Sequence, residues 1–252
     1  MADFERATML DRLRHESFDL LVIGGGITGA GTALDAASRG LRTALVERHD
    51  FASGTSSKSS KLVHGGLRYL QQGDIRLVYE ALAERQRLRH NAPHLVRVLP
   101  FMIPVLTKDG VMSAKLARAF GWALWMYDLT GGFRIGKLHK RLKKDAAMAH
   151  MPTLPSDRLA SAYLYYDAQA DDARLCLTVA RTAATHGAVV LNGASVVAIG
   201  KEDGRVTGAT VQVDGEAVEV RASAVINAGG VWVDDVRALD EGTHPDSIRP
   251  AK

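Results

Sequence analysis

Phe18-Asp19-Leu20-Leu21-Val22-Ile23 runs into Gly24-Gly25-Gly26-Ile27-Thr28-Gly29, and an alanine-rich stretch then leads to Thr43-Ala44-Leu45-Val46-Glu47. The first run is short, apolar and bounded by glycine, which predicts a buried strand. Ala30, Ala33, Ala36 and Ala37 give the middle stretch a small-residue helical face, closed by Arg39-Gly40. The last run predicts a second strand ending in one carboxylate. Gly24, Gly26 and Gly29 stand at the three positions of a G-x-G-x-x-G turn, so the whole reads as a βαβ dinucleotide fingerprint.

Each position has a physical reason. Gly24 permits the tight turn, Gly26 lets a diphosphate approach the backbone without meeting a Cβ, and Gly29 lets helix and strand lie close. The free N–H groups at the helix start, around Ile27 and Thr28, favour an anion there, as does the helix dipole. Glu47 lies 18 residues past Gly29, where a carboxylate can accept hydrogen bonds from adenosine ribose hydroxyls. The fingerprint does not choose between NAD and FAD.

The composition suits a folded α/β chain. Of 252 residues, 46% are hydrophobic and 24% charged, enough for a large core or two domains. A formal charge of +4 suits anionic ligands or an anionic surface. Cys176 is the single cysteine, so no internal disulfide forms, which fits a reducing compartment; its place in an amphipathic helical pattern marks it as a small core residue. The start of the chain lacks the apolar core of a targeting peptide and reads as a short amphipathic helix over residues 4–14. The apolar run Phe120 to Tyr127 is too short to span a bilayer. No metal-ligand spacing is present, and the basic residues lack the aromatic interleaving of a nucleic-acid surface, so neither a metal nor a nucleic acid is expected.

After Glu47 and Arg48 comes a hydroxyl- and glycine-rich run, Thr55-Ser56-Ser57-Lys58-Ser59-Ser60-Lys61-Leu62-Val63-His64-Gly65-Gly66-Leu67-Arg68-Tyr69-Leu70. Its position directly behind the fingerprint makes it a ligand-wrapping loop rather than a linker. The run closely resembles FAD-dependent glycerol-3-phosphate dehydrogenases, members of the D-amino-acid-oxidase-like flavoproteins, and the resemblance extends along essentially the whole chain. It implies that Thr55, Ser56, Ser59, Ser60, Lys61, Leu62, His64, Gly65 and Gly66 lie along the flavin and its phosphates, with Arg48 beside the ribose-binding acid. It also implies that Arg68 and Tyr69 face the substrate. His64 is read as a flavin-packing or structural histidine, and the sequence names no catalytic base.

Gly73-Asp74 opens a helix with Ile75, Val78, Ala81 and Leu82 on one face, and Arg85, Arg87, Arg89 and His90 crowd its end, where cations suit the dipole. Val98 to Thr107 reads as a strand broken by Pro100 and Pro104. A helix from about Ser113 to Asp128 turns apolar at Phe120, Trp122, Trp125 and Tyr127 and is followed by Lys137, Lys140, Arg141, Lys143 and Lys144. This stretch reads either as a membrane-surface anchor or as a buried helix with a solvated basic flank. Gly131 to Lys137 fits G-x-x-x-x-G-K, but Leu138 stands where a P-loop needs Ser or Thr, and no strand precedes it.

From Tyr163 the α/β pattern returns. Asp171-Asp172 caps a helix that runs to Gly187, and Val189-Val190-Leu191 is the strand behind it. Val196–Ile199, Val206–Val213 and Ala217–Val220, separated by Glu202-Asp203-Gly204 and Asp214-Gly215, read as hairpin-linked strands. The resemblance makes them a three-stranded meander, with backbone of Val196 and Val197 near the adenine. Ala224 to Trp232 is then an apolar strand running into a second flavin approach, with Ala228 and Gly230 in the cofactor set.

The expected fold class is therefore α/β: a Rossmann-like FAD-binding domain with a parallel sheet and a three-stranded β-meander, plus part of a second, cap or substrate domain. The expected boundaries are 1–90 and 161–252 for the FAD-binding domain and 91–160 for the cap insertion. The resemblance implies oxidation of sn-glycerol 3-phosphate to dihydroxyacetone phosphate, electron transfer to a membrane quinone, peripheral contact with the cytoplasmic face of the inner membrane and compatibility with a homodimer. Relatives of this family are longer, so the alternative is a truncated flavin-binding fragment without turnover. A third reading keeps the fold and takes an amine or amino acid as substrate.

Overall fold

A computed structural model describes residues 4–66, 73–107, 114–129, 136–243 and 245–247, with residues 114–119 as backbone only. The elements in order are α1 (Arg6–His15), β1 (Phe18–Ile23), α2 (Ile27–Ser38), β2 (Thr43–Val46), β3 (Leu62–Val63), α3 (Ile75–Asn91), β4 (Val96–Leu106), α4 (Ala114–Leu129), β5 (Lys140–Lys143), α5 (Lys144–His150), β6 (Leu159–Ala170), α6 (Asp172–Thr185), β7 (Val189–Leu191), β8 (Ala194–Glu202), β9 (Arg205–Val213), β10 (Glu216–Asn227) and α7 (Val233–Glu241). They divide into two compact units, Met1–Ser60 with Asp172–Lys252, and Lys61–Asp171. The interruption thus begins and ends farther out than 91 and 160. The reason is strand pairing: β3 joins β6 in the second unit, through Leu62 opposite Gln169 and Val63 opposite Ala168.

The first unit holds a six-stranded sheet in the order β7-β2-β1-β10-β9-β8. β7, β2, β1 and β10 run parallel, and β10, β9 and β8 form the antiparallel meander. The sequence suggests two separate runs at Ala217–Val220 and Ala224–Ile226, but β10 is continuous. Its first half, Glu216–Arg221, pairs with β9, and its second half, from Ala222, pairs with β1. One strand therefore belongs to both the meander and the parallel sheet. β1 and β2 are buried along almost their whole length, as strands covered on both faces must be. Over them, Ala30, Ala33, Ala36 and Ala37 of α2 share a core with Cys176, Ala180, Ala183 and Ala184 of α6. Alanine on both faces lets the two helices approach closely. Met9 and Leu13 of α1 join the same core.

The second unit is built on β6. β4 lies along one edge, while β3 and β5 share the other edge at opposite ends. β4 is not broken by its prolines: the ladder runs through Pro100 opposite Tyr166 and Pro104 opposite Ala162. The two prolines are four residues apart and so share one side of the strand, and among the described residues β4 pairs only with β6. Their missing donors face the unpaired edge. α4 packs Phe120 and Leu124 against Val105 and Tyr163. On α3, Asp74 accepts the Leu77 amide as an N-cap, 3.0 Å. Ile75, expected on its buried face, is largely exposed, whereas Val78, Leu82 and Arg85 point inward. The P-loop-like stretch lies mostly outside the described residues.

Candidate cofactor site

The turn between β1 and α2 is packed to the limit. Gly24 has φ +113°, a conformation that disfavours any side chain, and a Cβ there would stand 2.5 Å from the Ala228 carbonyl oxygen. A Cβ on Gly29 would run into the Gly24 carbonyl oxygen. The Ala228 amide donates to Ile23 O at 2.8 Å, so the second glycine-bearing turn, at the end of β10, abuts the first. Gly24, Gly29 and Ala228 are brought together as one backbone cluster. Gly230 sits beyond it in the turn Gly230–Trp232, with open space around its α-carbon.

The start of α2 is served from the loop after β2. Ser56, in the short 3-10 turn Thr55–Ser57, accepts the Ile27 amide on its Oγ at 2.9 Å. Gly26 is the N-cap and supplies no side chain. The amides of Thr28 and Gly29 have no hydrogen-bond partner among the described residues. Two open N–H groups at a helix N-terminus, under glycines that admit no Cβ, form a cradle for an anion.

Glu47 is buried, and its carboxylate accepts the Gly25 amide at 2.7 Å and the His49 amide at 2.8 Å. It therefore braces the glycine turn from within, and its remaining lone pairs are what it offers a ribose. Beneath the same turn, the Cys176 thiol donates to Gly25 O at 3.4 Å, and burial pushes its pKa up to about 11. Arg48 lies over the Trp232 ring at 4.6 Å and pairs with Asp235 at 3.5 Å. Ser59 donates its amide and hydroxyl to Asp172, at 3.1 and 2.7 Å, which ties the loop to the start of α6. Thr55 and Ser60 are exposed. Val197 is the extra residue of a bulge, since Val196 pairs with Val211 and Ala198 with Thr210. Its backbone is left out of the ladder, as a strand edge beside a ligand often is.

Lys61, Leu62, His64, Gly65 and Gly66 belong to the second unit. Lys61 adopts φ +59°, and His64 Nδ1 accepts the Gly66 amide at 3.1 Å. Gly65 is buried and donates to Asp167. Arg68 and Tyr69 lie outside the described residues. The sequence reading placed Arg85 among the cations at a helix end. It is instead fully buried, paired with Asp167 at 2.7 Å and bonded to the Tyr127 hydroxyl at 2.8 Å. The signal was there in the spacing: Val78, Leu82 and Arg85 recur at helical intervals on one face.

A family model described as FAD dependent oxidoreductase matches residues 19–252. The chain belongs to the FAD-dependent oxidoreductase family. Within this family it is similar to glycerol-3-phosphate dehydrogenase of Mycobacterium leprae, with 46% identity over 98% of this chain and 42% of that protein. The mitochondrial glycerol-3-phosphate dehydrogenase of Homo sapiens is 45% identical over 93% of this chain and 34% of that protein. The chain thus spans about two fifths or less of the length of these curated relatives. Among solved structures, the glycerol-3-phosphate dehydrogenase from Bacillus halodurans complexed with FAD aligns with a TM-score of 0.70 at 32% identity, over 93% of this chain and 38% of that one. L-proline dehydrogenase from P. horikoshii, at 18% identity and a TM-score of 0.68, over 90% of this chain and 56% of that one, shares the fold.

FAD is the cofactor of an FAD-dependent oxidoreductase, and the residues fit it. Open amides of Thr28 and Gly29 suit its diphosphate, Gly26 at the N-cap presents no side chain to it, and Glu47 stands at the end of β2 for a ribose. The flavin supplies the electron acceptor when bound. The chain supplies the binding surface and its orientation.

Proposed function

We propose that this chain is the FAD-binding and partial cap portion of a glycerol-3-phosphate dehydrogenase, acting in oxidation of the C2 alcohol of sn-glycerol 3-phosphate to dihydroxyacetone phosphate. The observation that carries the reading is the family cradle at Gly24–Gly29 together with 46% identity to a protein of that name across 98% of the chain. Thr28 and Gly29 would hold the diphosphate, Glu47 the adenosine ribose and the unpaired backbone at Val197 the adenine. Thr55, Ser56, Ser59 and Ser60 would line the path, and Ala228 and Gly230 would close its second side. Arg68 would fix the substrate phosphate with its planar fork, and Tyr69 would lie beside it.

Electrons would then leave to a quinone at a membrane surface on the cytoplasmic side. Peripheral contact is supported by the exposed apolar side of α4, where Trp122 is 76% and Leu129 68% exposed, next to the basic β5. No helix among the described residues is long and apolar enough to cross a membrane. The likeness in length to only part of the relatives favours a second reading, a flavin-binding portion without turnover of its own. Glycerol 3-phosphate oxidation with a dye acceptor separates the two. Turnover by the purified chain supports the first, and a flavin-loaded chain that neither turns over nor loses its visible flavin band with glycerol 3-phosphate supports the second. Loss of the band with an amine or amino acid instead would replace the substrate.

A further inference from the structure

Trp232 joins two loops of the first unit that are far apart in sequence. Its own turn is fixed on both sides. The Ala228 amide donates to Ile23 O at 2.8 Å, Asn227 Oδ1 accepts the Gly229 amide at 3.0 Å, and Asn227 Nδ2 donates to Val233 O at 2.9 Å. From that turn the half-buried indole reaches the loop after β2. The Arg48 guanidinium lies over the ring at 4.6 Å and pairs at 3.5 Å with Asp235, in the first turn of α7. The ring face attracts the cation, which keeps the indole from swinging away. The His49 ring meets it edge-on, with centroids 6.4 Å apart. The far edge of the indole rests on Gly54, where a Cβ would stand 2.8 Å from Cζ3. Gly54 leads directly into the turn that puts Ser56 Oγ on the Ile27 amide. The loop has another anchor before it: the Ala52 amide donates to Gly25 O at 3.0 Å. Ala52 is held there at φ +63°, a left-handed conformation that alanine adopts reluctantly. Between these anchors Ser53 buries a hydroxyl that has no hydrogen-bond partner among the described residues. That side chain does not hold the middle of the loop, and the packing of Gly54 on the indole meets the loop at that point.

We propose that Trp232, clamped by Arg48, is a positioning residue for FAD: its ring sets the path of Gly54, so that Ser56 stays on the Ile27 amide and the Thr28 and Gly29 amides stay in place for the diphosphate. This rests on the reading that the diphosphate seats on the Gly24–Gly29 turn. Trp232 acts through Gly54 and Ser56. With the Ile27 amide satisfied, the first turn of α2 is fixed before the cofactor arrives, and binding does not have to order it. A loop freed from the indole would let Ser56 drift, and part of the binding energy would go into rebuilding the helix start.

The test measures the FAD Kd of the purified chain by flavin fluorescence in wild type, Trp232→Ala, Ser56→Ala and the double variant, with urea unfolding of each alongside. S56A is expected to weaken FAD binding about fivefold, and W232A about tenfold. Because Trp232 acts through Ser56, the double variant is expected to bind no more than about tenfold worse than wild type, short of the roughly fiftyfold that independent sites would give. Should W232A not accumulate folded, Trp232→Phe, which draws the ring edge back from Gly54, carries the cycle with a smaller loss and the same non-additivity. A Kd in folded W232A equal to wild type, or losses that multiply in the double variant, overturn the positioning role whatever the change in urea midpoint, and leave the diphosphate seat standing. A wild-type chain that takes up no FAD, or binding that Gly29→Ala leaves untouched, overturns the seat and the positioning role with it.

Discussion

At the scale of single residues, neighbouring glycines of α2 make opposite predictions. Gly29 has no room for a Cβ, so Gly29→Ala is expected to destabilise the first unit by about 3 kcal/mol or more and to abolish FAD uptake. Gly31, two residues on, has nothing within 4 Å of a built Cβ and lies inside the helix. Gly31→Ala is therefore expected to stabilise by up to about 1 kcal/mol. Urea unfolding of both variants checks this, and equal losses would contradict it. Cys176 gives a pH prediction. Its folded pKa, about 11, lies above the ordinary thiol value of 9.0, so the folded state holds the proton more tightly. The associated stability is complete below 9.0 and is lost as pH rises through 11. Wild type is expected to lose more stability across that window than Cys176→Ala, and its thiol to resist alkylation until the protein unfolds.

At the scale of elements, the start of α2 borrows its cap from a distant loop. Ser56→Ala removes the acceptor of the Ile27 amide and is expected to cost about 1 kcal/mol, read as a lower urea midpoint with unchanged slope. The strands β1, β2 and β7, the helices α1, α2, α3, α4 and α6 and the meander were legible because local pattern decides them: apolar runs, alanine spacing and Asp-Gly turns; the short α5 and α7 were not read. The reach of β10 was not, because nothing local to residues 216–227 says that one strand changes partners from β9 to β1 midway. The continuity of β4 through Pro100 and Pro104 was hidden for a related reason. A proline breaks a central strand but not an edge, and only the sheet order makes β4 an edge. Arg85 was misplaced because a charge on a helix is read as solvent-facing unless its partner, here 82 residues away at Asp167, is known. The glycine turn and the place of Glu47 just past β2 were legible. That Glu47 braces Gly25 was not, since the brace exists only once β2 lies beside β1.

At the scale of the molecule, each unit has its own sheet and core, and the backbone cradle for the diphosphate belongs wholly to the first. Binding to the folded state alone should stabilise it, so FAD at a hundredfold excess over its Kd is expected to add about 2.7 kcal/mol and raise the thermal midpoint. The measurement that tests the central claim most directly is a titration of the purified chain with FAD, followed by flavin fluorescence. Saturation at one FAD per chain, lost in Gly29→Ala and kept in Gly31→Ala, is the result expected of a diphosphate seated on the Gly24–Gly29 turn. No saturable binding, or binding that Gly29→Ala leaves untouched, would contradict it.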